Sequence, residues 1–338
     1  MQTILFGINA VLPLILLMLI GYLLKKYKFV NQNFIDVGNK LVFRIALPAL
    51  LFYNIYMVKE LSQINWSMMI FALIGIFTAT IIGFIFTSIF IKDRIKKGTI
   101  IQGTLRANFA ILGIPLAEAI GGEMAVANVA LIALVAIPLM SSLSVIVLSY
   151  YGEDTPDKNV FKTIFLKVVK NPLIIAIFVG FSVLLLRSFM PLDSITGLPV
   201  FTLESDLKFL FTPIKWVSQI TSPLALIILG ATFKFEHFND LKKQIAFGTA
   251  LRSILVPLVV LSLAVVLDRF VSFFKFDSNI YPALIALFAS PQAVTNTTLV
   301  KELKGNENLS TQMIIATTIL SILTIFIVVV IFKYLELI

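Results

Sequence analysis

Three amides, Asn108, Gln292 and Asn296, and two charges, Arg106 and Glu118, sit in stretches otherwise apolar enough to enter a bilayer. The first stretch, Thr104 to Ile120, reads TLRANFAILGIPLAEAI, and the second, Leu284 to Val300, reads LIALFASPQAVTNTTLV. Polar groups held in hydrocarbon are costly and mark ligand or ion pathways, so these residue types point to binding rather than bond-making. Each stretch also carries a breaker near its middle, Gly113-Ile114-Pro115 in one and Ser290-Pro291 in the other. Proline removes a donor and clashes with the carbonyl four residues back, so breaks are expected at Pro115 and Pro291. In lipid such a break is tolerated only where protein or a water-filled cavity surrounds it. A half-helix can begin with Ser290 as cap and Pro291 first, and Gly113 can end one before Pro115 starts another. Both N-termini would then present unpaired N–H groups and positive dipole ends at mid-membrane, which suits a carboxylate. Two interrupted spans at matching positions are a pointer to a transporter's binding site.

The candidate substrate contacts are therefore Asn108, Ile114, Pro115, Pro291, Gln292 and Asn296, with Thr295 and Thr297 as weaker ones. Arg44, Arg106 and Arg252 each lie some seven residues inside a span, roughly 10 Å at 1.5 Å per residue. Arg44 is expected to snorkel to the interface. Arg106, in the broken span, is the first candidate for neutralising an anion, and Arg252 the second. Glu118 is the carboxylate lying well inside a span; it could carry a coupling proton if burial raises its pKa, or pair with an arginine. The single histidine, His237, falls in a loop, and there is no cysteine, so no metal site or catalytic triad is expected. No P-loop or dinucleotide fingerprint occurs, so no cofactor and no enzyme activity are expected.

These residues need a membrane bundle to hold them. The chain has 338 residues, 59% hydrophobic and 13% charged, with a mean hydropathy of +1.00. Soluble domains are about 45–50% apolar and about 25% charged, and apolar runs of about 20 residues recur throughout, so the chain is polytopic. Ten spans are expected, at 4–24, 37–58, 67–91, 99–120, 125–149, 172–190, 213–233, 245–267, 280–300 and 311–333. The connections on one side carry 16 lysines and arginines against 7 on the other. That bias makes the richer side cytoplasmic and puts both termini outside, so the net charge of +9 belongs to inner loops and not to a nucleic-acid partner. The N-terminal run lacks a basic leader and a cleavage site, so it is a first span and not a signal peptide. Between spans five and six, PDKNVFKTIFLKVVK puts Phe161, Ile164, Phe165, Val168 and Val169 on one helical face and lysines on the other. It is expected to be an amphipathic helix on the inner membrane surface.

An internal repeat sets the architecture. Pro13–Gly21 reads PLILLMLIG and Pro172–Gly180 reads PLIIAIFVG. Pro48 to Asp93 and Pro223 to Asp268 are both 45 residues, and the following steps to Pro115 and Pro291 are 22 and 23. The step from Pro13 to Pro48 is 35 residues against 51 for its counterpart, which fits an outer loop insertion around Asp193 to Leu210. Five spans per copy is an odd number, so the second copy must be inverted. The fold class expected is an all-α membrane protein with repeats over 1–149 and 172–338, joined by a cytoplasmic linker over 150–171.

With LVFRIALPALLF in span two, NFAILGIPLAEAIGG in span four and ASPQAVTNTTLV in span nine, the chain resembles the auxin efflux carrier family over essentially its full length. The resemblance implies the five-plus-five inverted fold shared with bile-acid carriers and sodium/proton antiporters. It also implies a scaffold of spans 1, 2, 6 and 7, and a moving domain whose broken spans 4 and 9 cross at Pro115 and Pro291. Bacterial members are described as permeases for malate or malonate, and the short mid-chain loop here suits a minimal bacterial carrier of the cell membrane. Related antiporters place adjacent aspartates at the crossing; none occurs here, which disfavours sodium/proton exchange. The expected function is secondary-active transport of a small organic carboxylate by alternating access at that crossing. The alternative is a membrane sensor or interaction protein that binds the ligand without moving it. Expected partners are the anion and the lipid bilayer, with a homodimer left open.

Overall fold

The computed structural model describes residues 2–58, 64–152, 166, 169–191, 200–233 and 241–338. Among these residues all regular elements are helical. The first half holds α1 (Gln2–Lys26), α2 (Gln32–Leu41), α3 (Leu47–Met57), α4 (Trp66–Phe90), α5 (Arg94–Leu105) and α6 (Ile114–Tyr151). The second holds α7 (Pro172–Ser188), α8 (Lys208–Ala231), α9 (Lys242–Ala250), α10 (Val256–Phe270), α11 (Ile280–Phe288), α12 (Asn296–Glu302) and α13 (Glu307–Tyr334). Among the described residues six continuous runs are long and apolar enough to cross a membrane, at 2–26, 66–90, 109–151, 208–231, 242–270 and 307–334. The apolar α7 is shorter, at 17 residues. Of the segments expected at 37–58, 99–120 and 280–300, the first runs unbroken from α2 through a π-turn into α3, while the other two are interrupted, between α5 and the start of α6 and between α11 and α12. The amphipathic helix expected over 156–170 falls almost wholly outside the described residues.

Packing follows membrane logic, with small residues inward and large apolar ones outward. On α1 the buried line is Gly7, Ala10, Val11, Leu14, Met18 and Gly21, at the three- and four-residue spacing of one helix face. Ile4, Leu5, Leu12, Leu16 and Leu19 are exposed on the other faces, where lipid tails replace water. Helices in lipid gain by close van der Waals contact, which small side chains permit. The tightest approach is between α1 and α8. A Cβ on Gly21 would lie 1.8 Å from the Ile227 carbonyl oxygen, and one on Gly230 would lie 1.8 Å from that of Met18. Several starts are fixed by side-chain caps: Asn31, Asn65, Asp93 and Asn306 each accept from the N–H three residues on.

Three prolines near the middle of spans do not break them. Each is preceded by a five-residue π-turn that ends two residues before the proline: Val42–Ala46 before Pro48, Phe109–Gly113 before Pro115 and Leu251–Leu255 before Pro257. The N–H groups of Leu47, Ile114 and Val256 bond five residues back, to Val42, Phe109 and Leu251. Widening the turn gives room for a ring that would otherwise press on the carbonyl four residues back. The α-helix resumes with proline as its second residue, where its missing N–H costs least.

The helical run of α6 contains one true reversal, at Gly122, with φ 63° and ψ −156°. Side chains with a Cβ scarcely visit that region. A Cβ there would meet nothing within 4 Å, so the cost of a substitution is backbone strain alone. Gly122→Ala should therefore lower stability by about 1–3 kcal/mol without disturbing packing. Thermal unfolding in detergent checks this; an unchanged melting temperature would mean that the corner relaxes at no cost.

Candidate functional site

The helix α5 stops at Leu105, and Arg106 takes up extended geometry with φ −102° and ψ 103°. No glycine or proline stands there. The second interruption, between Phe288 and Asn296, supplies the cause. The Asn108 N–H donates to the Pro291 carbonyl at 2.7 Å, and the Ala293 N–H donates to the Arg106 carbonyl at 3.0 Å. Ala107 and Gln292 thus form an isolated antiparallel bridge. Each extended stretch supplies the backbone partners that the other loses by leaving the helix, as a buried break requires.

This corrects the expected position of the first break and the expected restart after the second, which does fall at Pro291. In the first stretch the interruption lies at Arg106–Asn108, and Gly113 and Pro115 are helical, because the π-turn absorbs the proline. In the second, Ser290 does not cap a helix that starts at Pro291. Its hydroxyl donates to the Ala286 carbonyl at 2.6 Å, and the next helix starts at Asn296 after Thr295. Pro291 instead offers only its carbonyl, to Asn108.

Beside the paired stretches lies a cavity of about 110 Å³. Arg106, Asn108, Phe109, Ala110, Val294 and Thr295 line it from the two interruptions. Phe43, Ile137, Met140, Ser141, Asn171 and Leu173 close it from the surrounding helices. Arg106 is half-buried, and among the described residues its guanidinium makes no hydrogen bond or ion pair. The Asn108 side chain is buried, and its Nδ2 has no partner. The first N–H to bond back in the turn after Asn108 is that of Leu112, which leaves those of Phe109, Ala110 and Ile111 without helical acceptors. Arg106, Asn108 and the helix start thus line the cavity with donors to spare, the Asn108 Nδ2 being itself shielded from solvent. Among the described residues no carboxylate lines the cavity. The arrangement can accept an anion.

The other expected contacts are placed elsewhere. Asn296 and Gln292 are fully buried behind the lining. The Asn296 Nδ2 reaches the Arg106 carbonyl at 3.5 Å, while its Oδ1 has no partner. The Gln292 Nε2 donates to Ser310 Oγ at 3.3 Å, and its N–H to Thr317 Oγ1 at 3.2 Å. Ile114, Pro115 and Pro291 are buried and do not line the cavity. Arg252 does not face it either. It is 1% exposed and spends its donors on backbone carbonyls of Thr104, Leu287 and Ser290. Glu118 is exposed on the far side of Pro115, where Ser222 Oγ of α8 donates to its Oε2 at 2.8 Å. Sequence reasoning did not single out Ser141 or Asn171. Asn171 carried a signal in the Asn-Pro start of α7, where its side chain caps Leu173, but that signal speaks of a helix end and not of a cavity.

A family model described as "Membrane transport protein" matches residues 6–329, almost the whole chain. The chain belongs to the auxin efflux carrier family. No curated protein matches it. As a member of a family of transporters and not of enzymes, the chain is a multi-pass membrane transport protein. The donor-rich cavity of this auxin efflux carrier family member is thus a candidate for the place where cargo rests.

Proposed function

We propose that the chain is a secondary carrier for a small organic carboxylate of the malate or malonate type, which binds in the Arg106–Asn108 cavity. The observation that carries this reading is the unpartnered guanidinium of Arg106, beside an unpartnered amide and the free N–H groups of a helix start. A fixed positive charge with spare donors at low dielectric favours a carboxylate over a neutral or cationic ligand. In this reading ten spans form two inverted repeats. The broken fourth and ninth spans cross where Ala107 meets Gln292, rather than at the prolines. Both termini face outward, so Asn171, next to the lysine-rich linker, marks a cavity mouth open to the cytoplasm.

Glu118 takes a different part. Its hydrogen bond to Ser222 ties the moving span to α8 on the outer side of the cavity. Opening outward would separate them, so protonation of Glu118 would bias the step. Glu118→Gln should leave carboxylate affinity unchanged while proteoliposome uptake loses its response to an imposed proton gradient. Retained response would remove Glu118 from coupling.

The function is tested by a thermal-shift screen of purified protein against dicarboxylates, monocarboxylates and indole acids, with amines of similar size as controls. Stabilisation by a carboxylate and not by the amines is the expected result, followed by flux of that carboxylate in proteoliposomes. Binding without flux would favour a sensor over a carrier.

A further inference from the structure

The interruption leaves two helices, α5 and α11, ending inside the protein. The last carbonyls of a helix have no intrahelical partner and carry the negative end of its dipole. Pro291 adds to the problem, because its missing N–H leaves the Leu287 carbonyl unmatched. These orphan oxygens converge on one guanidinium. Arg252 Nε and Nη2 donate to the Ser290 carbonyl at 2.9 and 2.7 Å, and Nη2 also donates to that of Leu287 at 3.1 Å. Its Nη1 reaches the Thr104 carbonyl of α5 at 3.0 Å. The side chain is 1% exposed, and no carboxylate among the described residues pairs with it. Among the described residues the charge is therefore met by backbone carbonyls, those of Thr104 and Leu287 in the last turns of two helices and that of Ser290 just past the second. Arg252 is brought there from the π-turn ahead of Pro257 on the α9–α10 span.

In carriers with broken helices, unwound carbonyls and half-helix C-termini coordinate the coupling cation. We propose that Arg252 is a tethered substitute for that cation. It fills the carbonyl site of both half-helices permanently, so the protein needs no free monovalent cation at the break. It follows that a neutral residue at this position opens a site that takes a cation from solution. Guanidinium suits it best, since it reproduces the planar donor fork, and sodium is the compact alternative. This does not rest on the carboxylate reading of the neighbouring cavity, and it is tested without any carboxylate present.

The experiment compares melting of purified wild type, Arg252→Ala, Arg252→Gln and Arg252→Lys in detergent. The salts are choline chloride, sodium chloride at the same ionic strength, and choline chloride with guanidinium chloride far below denaturing levels. Wild type and Arg252→Lys should melt at the same temperature in all three. Arg252→Ala should melt lower in choline and regain roughly 2–4 °C or more with guanidinium or sodium, as binding to the folded state alone requires. If the alanine variant is not recovered, Arg252→Gln decides by the same readout. Neutral variants indifferent to every cation would overturn the proposal. So would a wild type that sodium stabilises over choline. Failure to recover either neutral variant in any of these salts would overturn it too, because an open cation site would be refilled.

Discussion

Replacing Arg106 by alanine should weaken carboxylate binding by about 2–4 kcal/mol, the range for losing a charge-assisted contact at a desolvated site. Helix N-termini carry only about half a charge each, which attracts a carboxylate but is weak against its desolvation. Arg106 adds a full charge and a planar fork of donors, and it has no internal partner among the described residues that would compete with a ligand. Lysine keeps the charge without the fork, so Arg106→Lys should lose about 1–3 kcal/mol, and Asn108→Ala a similar amount. Arg44 is exposed on its span, and Arg44→Lys should stay within about 0.5 kcal/mol. Calorimetry in detergent with the carboxylate that stabilises best, and size exclusion to check folding, separates these outcomes. Equal affinity for wild type and Arg106→Ala would mean that amides and helix ends hold the ligand alone.

Gly21→Ala and Gly230→Ala should each destabilise the protein by about 3 kcal/mol or more, at or beyond the upper end for overpacking. The added methyl would meet a backbone carbonyl at 1.8 Å in both cases, and no rotamer change moves a carbonyl. The two glycines face each other's helices across one contact, so α1 and α8 would have to separate along their length. The double variant should then cost less than the two single ones together, because the first methyl already opens the seam. Gly83 offers the control. Its added Cβ would find its nearest neighbours at 3.3–3.5 Å, and Gly83→Ala should stay within about 1 kcal/mol of wild type. Melting temperatures of the purified variants test this; unchanged stability of Gly21→Ala would contradict the packing of α1 on α8.

The helices were legible because membrane spans announce themselves by composition, and the corner at Gly122 falls between two spans read from hydropathy. The breaks were legible only in part. Both were placed in the right stretches, since polar residues in apolar runs are rare and costly. The second does fall at Pro291, but the first does not fall at Pro115, because the rule that proline breaks a helix ignores the π-turn that spares it. What stops α5 at Leu105 is a pairing with Pro291–Ala293, almost two hundred residues away, and no local signal at Arg106–Asn108 records it. The arginines show the same limit. Arg106 and Arg252 look alike from sequence, each some turns inside a span. One faces a cavity with free donors, while the other is consumed by three carbonyls that exist only once both helices are interrupted.

The most direct test of an anion site in the Arg106 cavity is protection of a single thiol. The chain has no cysteine, so Ser141→Cys, which lines the cavity, gives one reporter in an otherwise unreactive protein. The rate of its alkylation is measured in detergent with malonate, malate or indole acid, and with amines of matched size and ionic strength. At least one carboxylate should slow the reaction severalfold in the Arg106 protein and fail to do so in Arg106→Ala, with the amines without effect. Equal alkylation rates with and without every carboxylate, or protection that survives in Arg106→Ala, would contradict the site.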